Sequence, residues 1–132
     1  MIRTALFAAL LPLAATAAET ERLTPQQFED YVTGKTLMYG FDGQHYGGED
    51  YLPDRKVRWS FLDGRCKSGY WYPSEGDICF VYEDNPDPQC WSFYLRGSTL
   101  VAQFENNPEY EELYETGESE EPLQCLGPEV GV

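Results

Sequence analysis

The stretch DGQHYGGEDY, at positions 42–51, holds the side chains with the greatest capacity for chemistry in this 132-residue chain. His45, the only histidine, lies near the adjacent carboxylates Glu49 and Asp50. A histidine beside a carboxylate is the pattern of a general base or of a weak metal site. We favour the alternative, a glycine-rich hairpin end with solvated charges, because glycines at turns need no catalytic explanation.

Motifs of the common enzyme classes do not occur elsewhere in the sequence. There is no G-x-S-x-G or S-x-x-K nucleophile motif, no phosphate loop and no dinucleotide fingerprint. Zinc sites use close pairs such as C-x2-C, which are also missing. We therefore predict a protein that is not an enzyme, with no catalytic residue, metal or cofactor. A small hydrolase that uses His45, Glu49 and Asp50 is the weakest hypothesis.

The N-terminal segment has the layout of a secretory signal peptide. Arg3 precedes an apolar run from Ala5 to Ala15, and small residues follow. A membrane anchor is the alternative, but about 20 apolar residues are needed to span a bilayer, and Pro12 breaks this shorter run. We predict a signal peptide at 1–18, a single disulfide-linked β domain at 19–132, and residence in the periplasm or outside the cell.

The charge balance is strongly acidic. The chain has 9 basic and 23 acidic residues, and loss of Arg3 with the signal leaves 8 against 23, a balance of −15. Nucleic-acid binding needs a basic surface, so it is not expected. Membrane insertion of the mature protein is not expected either. The acidic field favours a basic protein as partner. The sequence leaves the oligomeric state open.

Four cysteines in an exported chain predict two disulfides. If strands on either side of Asn85–Pro88 are neighbours, Cys79 lies opposite Cys90, within disulfide reach. Cys66 would lie about 16 Å from the level of Cys79 and about 9.5 Å from Cys90, both too far. The predicted pairs are therefore Cys79–Cys90 and Cys66–Cys125.

The elements around these residues are one helix and several short strands. RLTPQQFEDYVTGK begins with a capping threonine, Thr24, and a proline, and ends at Gly34. Strand composition marks TLMYGF, KVRWSFL, KSGYWY, DICFVYE, CWSFYL and TLVAQF. Turn signals separate them at Asp42-Gly43, Asp63-Gly64, Pro73–Gly76, Asn85–Pro88 and Arg96-Gly97. Asp63-Gly64 predicts a tight hairpin.

This pattern predicts a mainly β fold, a small antiparallel meander covered by the N-terminal helix. A closed barrel and a two-layer sandwich both fit it. The strands are rich in aromatic residues, and Trp59, Trp71, Phe80 and Phe93 are predicted to be buried.

Two further sets of residues are candidates for binding. Tyr70 and Tyr72 flank Trp71 and share the opposite strand face, so they form either an aromatic platform or, as we favour, a face covered by the helix or tail. The segment 105–122 contains eight acidic residues and no basic one. We predict a short helix from Pro108 and a mobile chain beyond Gly117. The candidate acidic contacts are Glu111, Glu112, Glu118, Glu120 and Glu121.

The G-x-W strand, the ICF segment and the CWSF segment together resemble a family of small exported bacterial proteins of unknown function. The matching residues are Gly69, Trp71, Ile78–Phe80 and Cys90–Phe93, preceded by EDYLPDRKVRWSF. The resemblance covers residues 36–104 and implies a small antiparallel β domain with no inherited catalytic role.

The leading functional hypothesis is an exported, non-catalytic binding protein of the bacterial envelope, with the ligand left open. The alternative is an inhibitor of a basic secreted enzyme such as lysozyme. That alternative depends on size, export, disulfides and charge, without an inhibitor motif.

Overall fold

The computed structural model describes Pro12 and residues 21–126, so most of the predicted signal peptide lies outside the described residues. Within them, helix α1 (Pro25–Val32) precedes eight antiparallel strands. The strands are β1 (Thr36–Phe41), β2 (Gln44–Tyr51), β3 (Lys56–Ser60), β4 (Lys67–Ser74), β5 (Asp77–Tyr82), β6 (Asn85–Arg96), β7 (Thr99–Phe104) and β8 (Leu113–Ser119). A short 3-10 segment, Pro53–Arg55, links β2 to β3.

The strands form a closed barrel in chain order. β8 pairs with β7 and also with β1, where Thr36 lies opposite Ser119. This last pairing removes both sheet edges, so the barrel is the correct choice over the two-layer sandwich. The predicted mainly β fold with one N-terminal helix is confirmed.

Helix α1 closes one end of the barrel. The predicted cap, Thr24, is confirmed: its hydroxyl accepts from the Gln27 amide, and the Gln27 side chain accepts from the Thr24 amide, so the two residues form a capping box. Phe28 and Val32 are completely buried. The Phe28 ring packs against Trp71 and Phe93, with centroids 5.2 and 4.4 Å away. The helix therefore forms the floor of the barrel interior.

The predicted core is confirmed. Trp59, Trp71, Phe80 and Phe93 are all less than 9 % exposed and belong to one hydrophobic cluster with Phe28. Burial of this much aromatic surface is the main source of stability in so small a domain.

Both predicted disulfides are confirmed. Cys79 and Cys90 are directly opposed on β5 and β6, with Cα atoms 3.9 Å apart. Cys66 and Cys125 tie the chain after β8 to the β3–β4 loop. The pair indicates an oxidising compartment outside the cytoplasm.

Two predictions about turns are wrong. Asp63-Gly64 is part of a six-residue loop, 61–66, and not a tight hairpin. This loop carries Cys66 to its disulfide, and the Gly64 carbonyl accepts from the Leu126 amide at 2.6 Å. Two-residue turns with positive φ at both positions occur instead at Asp42-Gly43 and Glu75-Gly76.

The predicted Asn85–Pro88 loop belongs to β6, and the turn lies at residues 83–84. A register shift between Phe80 and Tyr82 accommodates this part of β6. Prolines have no N–H to donate to a strand ladder, so they are tolerated at such an irregularity. Cys79 nevertheless lies opposite Cys90, because the register beyond the shift is regular.

The helix predicted from Pro108 is also wrong, because Leu113–Ser119 forms β8. Its pairing with β1 closes the barrel, and the free energy gained from this long-range strand pairing outweighs the local helical preference of the sequence. The expected mobility beyond Gly117 is wrong for Glu118 and Ser119, which pair with β1.

Candidate functional site

The barrel interior contains a cavity of about 160 Å³. Its inner wall is mostly aromatic and includes Tyr39, Tyr51, Trp59, Phe80, Tyr82 and Phe93. Residues near the β3–β4 and β5–β6 connections, such as Phe61 and Asp84, also line it. Those connections lie at the end opposite α1, so the cavity has its floor toward the helix and its mouth at the other end.

The one acidic side chain deep in this wall is Glu49. It is 1 % exposed and lies opposite Trp59 on β3. Its Oε1 accepts a hydrogen bond of 2.8 Å from the Tyr82 hydroxyl. Its buried Oε2 has no hydrogen-bond partner among the described residues. A buried polar atom without a partner costs free energy, so this oxygen is a candidate position for a hydrogen bond from a ligand.

Burial dominates the protonation of Glu49. Desolvation raises the pKa of its carboxyl group well above the ordinary value, and the charge of Asp50 acts in the same direction. The hydrogen bond from Tyr82 opposes this effect and lowers the pKa. The carboxyl group therefore keeps its proton to a higher pH than an exposed glutamate.

Three phenols, those of Tyr39, Tyr51 and Tyr82, line the cavity together with the carboxyl group. The Tyr39 and Tyr51 hydroxyl oxygens lie 2.6 Å apart, and burial raises the pKa of both phenols. The pKa of Tyr82 is raised by burial and by the charge of Glu49. These phenols stay protonated at neutral pH, so they present neutral hydrogen-bond donors. The buried indole nitrogen of Trp59 has no partner among the described residues.

Asp50 points to the other side of the sheet, because strand neighbours alternate. It accepts from the Thr36 hydroxyl at 2.6 Å, from Arg58 at 2.6 and 2.9 Å, and from the Leu123 amide at 3.0 Å. Asp50 is 2 % exposed, and its hydrogen bond from the Leu123 amide holds the chain after β8 against the barrel.

The expected solvated hairpin end at 42–51 is wrong for Glu49 and Asp50. Both are buried near the end of β2, one inside the barrel and one outside. His45 is exposed near the start of β2 and pairs in register with Gly40. The structure therefore does not bring His45, Glu49 and Asp50 together as one catalytic group.

An aromatic rim surrounds the mouth. Tyr46 packs on Trp59 and on Phe61, with ring centroids 5.8 and 5.6 Å apart. Lys67 pairs with Asp84 at 2.7 Å and lies 5.4 Å from the Phe61 ring centroid. The hydrogen bond to Lys67 lowers the pKa of Asp84. Among the described residues, the only lysine or arginine that lines the cavity is thus at its rim and already paired.

The other candidate residues lie outside the barrel. Tyr70 is 52 % exposed, so the expected cover over this face is wrong for Tyr70, and its ring lies 6.4 Å from that of Tyr72. Glu112 pairs with Arg96 at 3.0 Å. The remaining acidic candidates are exposed on β8 or its flanking segments: Glu111, Glu118, Glu120 and Glu121. Binding by any of these residues stays a prediction.

Sequence reasoning missed Tyr39, Tyr51, Trp59 and Tyr82 as parts of one site. The available signal was the alternation of Gly47, Glu49 and Tyr51, which places all three on the same strand face. Gly47 fits this role because a Cβ there would lie 2.3 Å from the Trp59 ring. From the sequence, Gly47 is expected to be a turn residue. In the structure this glycine makes room for the indole in the cavity wall.

The described residues include no cluster of three or more His, Cys, Asp or Glu side chains able to hold a metal ion. No helix in the part of the chain that the structure describes is long and apolar enough to cross a membrane. Comparisons with protein-family models, curated proteins and solved structures found no match, so the resemblance to a family of small exported proteins stays a prediction.

Proposed function

We propose that the protein is an exported, non-catalytic binding protein that holds one small ligand inside its barrel. The observation that carries this proposal is the aromatic cavity of about 160 Å³, closed by α1 and open at the other end. Eight-stranded barrels have an interior of the right width for one small ligand. An apolar pocket with a few polar groups is typical of small-molecule sites.

Export to the periplasm or the cell exterior is part of this proposal. The signal-like sequence at residues 1–18 supports it, as do the two disulfides. A soluble carrier or sensor of a small envelope metabolite fits this location, and needs no catalytic residue.

Calorimetric titration with benzyl alcohol tests the proposal, since a cavity of this volume is similar to one that holds benzene. Ala102 lines the cavity, so Ala102→Leu fills it and should abolish binding. The adjacent Val101 is buried but does not line the cavity, so Val101→Leu is the matched control and should still bind.

If Ala102→Leu does not fold, Gln89→Trp provides a second block nearer the mouth. Absence of binding to the wild-type protein, or equal binding by the blocked and control variants, would contradict a ligand site inside the barrel.

A basic protein partner is the second candidate function. Its support is the exposure of Glu118 on β8 and of Glu111, Glu120 and Glu121 on the segments that flank this strand. An inhibitor of a basic secreted enzyme such as lysozyme would use this outer surface and would leave the cavity free.

A further inference from the structure

We propose that the ligand of the barrel carries a small ammonium group that pairs with Oε2 of Glu49, an inference that depends on the ligand-binding function proposed above. The expected class is a compact organic amine with a protonated nitrogen. Its aromatic or aliphatic body is at most the size of one ring with a few additional carbon atoms.

The first support is the hydrogen-bonding state of Glu49. One carboxylate oxygen is bonded to Tyr82, and the other is buried with no partner among the described residues. A carboxylate is the strongest acceptor that a protein offers, and its best partners are charged N–H donors. An ammonium group from the ligand would supply that donor at the unpaired oxygen.

The second support is the composition of the surrounding wall. The rings of Tyr39, Trp59 and Phe80 line the same cavity, and aromatic faces attract cations. The lysine in the wall, Lys67, is at the rim and paired with Asp84. Among the described lining residues there is no other lysine or arginine, so no positively charged side chain deeper in the cavity competes with a ligand cation for Glu49.

The third support is the charge of the whole chain, −14. A strongly negative protein concentrates cations in its clefts and repels anions. A carboxylate ligand would meet this field and also Glu49 itself, so an anionic ligand is disfavoured twice.

Cation binding should be coupled to proton release. Burial raises the pKa of Glu49 in the free protein, and an ammonium group beside it favours the ionised form. Affinity for an amine should therefore rise with pH, by up to about tenfold per unit, until the pKa of the free site is passed. The titratable groups around Glu49 are Tyr39 from β1, Asp50 and Tyr51 from β2, Tyr82 from β5, and Lys67 and Asp84 at the rim.

Three probes of similar size test the inference: benzylamine, benzyl alcohol and benzoate. We expect the wild-type protein to bind benzylamine about tenfold more tightly than benzyl alcohol, and benzoate most weakly. Glu49→Gln should remove the preference for benzylamine over benzyl alcohol. Glu118→Gln makes the same charge change on the exposed outer surface and should keep the preference.

A second measurement needs no variant, which matters if Glu49→Gln does not fold. Calorimetry in buffers of different ionisation enthalpy reports the protons released on binding. Benzylamine should release protons below the pKa of Glu49, and benzyl alcohol should release none.

The possible failures are distinguishable. In one failure, benzyl alcohol binds tightly, benzylamine binds no better, and no protons are released. That result would overturn the proposal of a cationic ligand and would indicate a neutral ligand that bonds to protonated Glu49. Lack of binding by all three probes would contradict the cavity as a ligand site, and with it the proposed function.

Discussion

Glu49 has a carboxyl group that is buried with fewer hydrogen bonds than a carboxyl group normally makes. A carboxyl group inside an aromatic barrel loses hydration and recovers one hydrogen bond, from Tyr82. Its neighbour Asp50 is equally buried but has Thr36, Arg58 and the Leu123 amide as partners. The fold thus explains the burial of Asp50, whereas Glu49 lacks a second partner that the proposed ligand would supply.

The raised pKa of Glu49 predicts a specific pH dependence of stability in the ligand-free protein. The folded state holds this proton to a higher pH than the unfolded state, so the contribution is complete below the unfolded pKa of about 4.3 and is lost as pH rises toward the folded pKa. Relative to Glu49→Gln, the wild-type protein should lose up to about 1.4 kcal/mol of unfolding free energy per pH unit in that window.

Urea unfolding of both proteins from pH 4 to 8 measures this difference, because contributions of the other acids cancel between them. A difference that stays constant with pH would show that Glu49 ionises like an exposed glutamate.

Trp71 and Tyr70 are adjacent but should differ strongly in their effect on stability. Trp71 is 2 % exposed and packs on Phe28, whereas Tyr70 is 52 % exposed. Trp71→Ala should cost about 3–5 kcal/mol, and Tyr70→Ala less than about 1 kcal/mol. Thermal melts measure both. Similar melting temperatures for the two variants would contradict the assigned strand faces.

Among the elements, the helix and most strands were predictable because their signals are local. A capping box begins α1, and Thr36–Phe41 and Thr99–Phe104 form strands with the predicted bounds. β2 and β8 were missed, since each has weak strand composition and is held by its neighbours in the closed barrel. The cavity was missed with them, because Glu49 enters it only when β2 is a strand.

The two disulfides should differ in their contribution to stability. Cys66 and Cys125 are separated by 59 residues, and Cys79 and Cys90 by 11. Loop-closure entropy gives about 4 kcal/mol for the longer loop and about 3 kcal/mol for the shorter. The Cys66→Ser, Cys125→Ser variant should therefore be the less stable of the two double-serine variants in urea unfolding.

That variant should also release the segment that covers Asp50, since the Leu123 amide donates to this carboxylate. Hydrogen exchange should show faster exchange of the Leu123 amide in it, with little change in the Cys79→Ser, Cys90→Ser control. Unchanged protection of Leu123 would mean that Asp50 and Arg58 hold the tail without the disulfide.

At the scale of the whole molecule, the barrel separates two surfaces of different chemistry. The interior is aromatic with one acidic group, and the exterior is strongly acidic. Their independence allows each candidate function to be tested without the other.

If a basic protein binds the exterior, charge should act mainly on the rate of association. With lysozyme as the probe, slower association is expected when Gln replaces Glu111, Glu112, Glu118, Glu120 and Glu121. The effect should shrink in salt, where screening shortens to about 8 Å at physiological strength.

A control variant makes the same charge change elsewhere by neutralising Glu21, Asp54, Glu75, Glu83 and Asp87, which are also exposed. Equal slowing by both variants would indicate general attraction and no defined contact surface. Stopped-flow association at low and high salt distinguishes these results.

The location of a bound ligand is the most direct test of the molecule's function. Intermolecular NOEs from benzylamine to the assigned protein identify the protons within about 5 Å of it. Binding inside the barrel predicts NOEs to Tyr39, Trp59 and Phe93, all in the cavity wall. NOEs confined to Tyr70 and Tyr72 on the outer face, or no NOEs at saturating probe, would contradict a ligand-binding barrel.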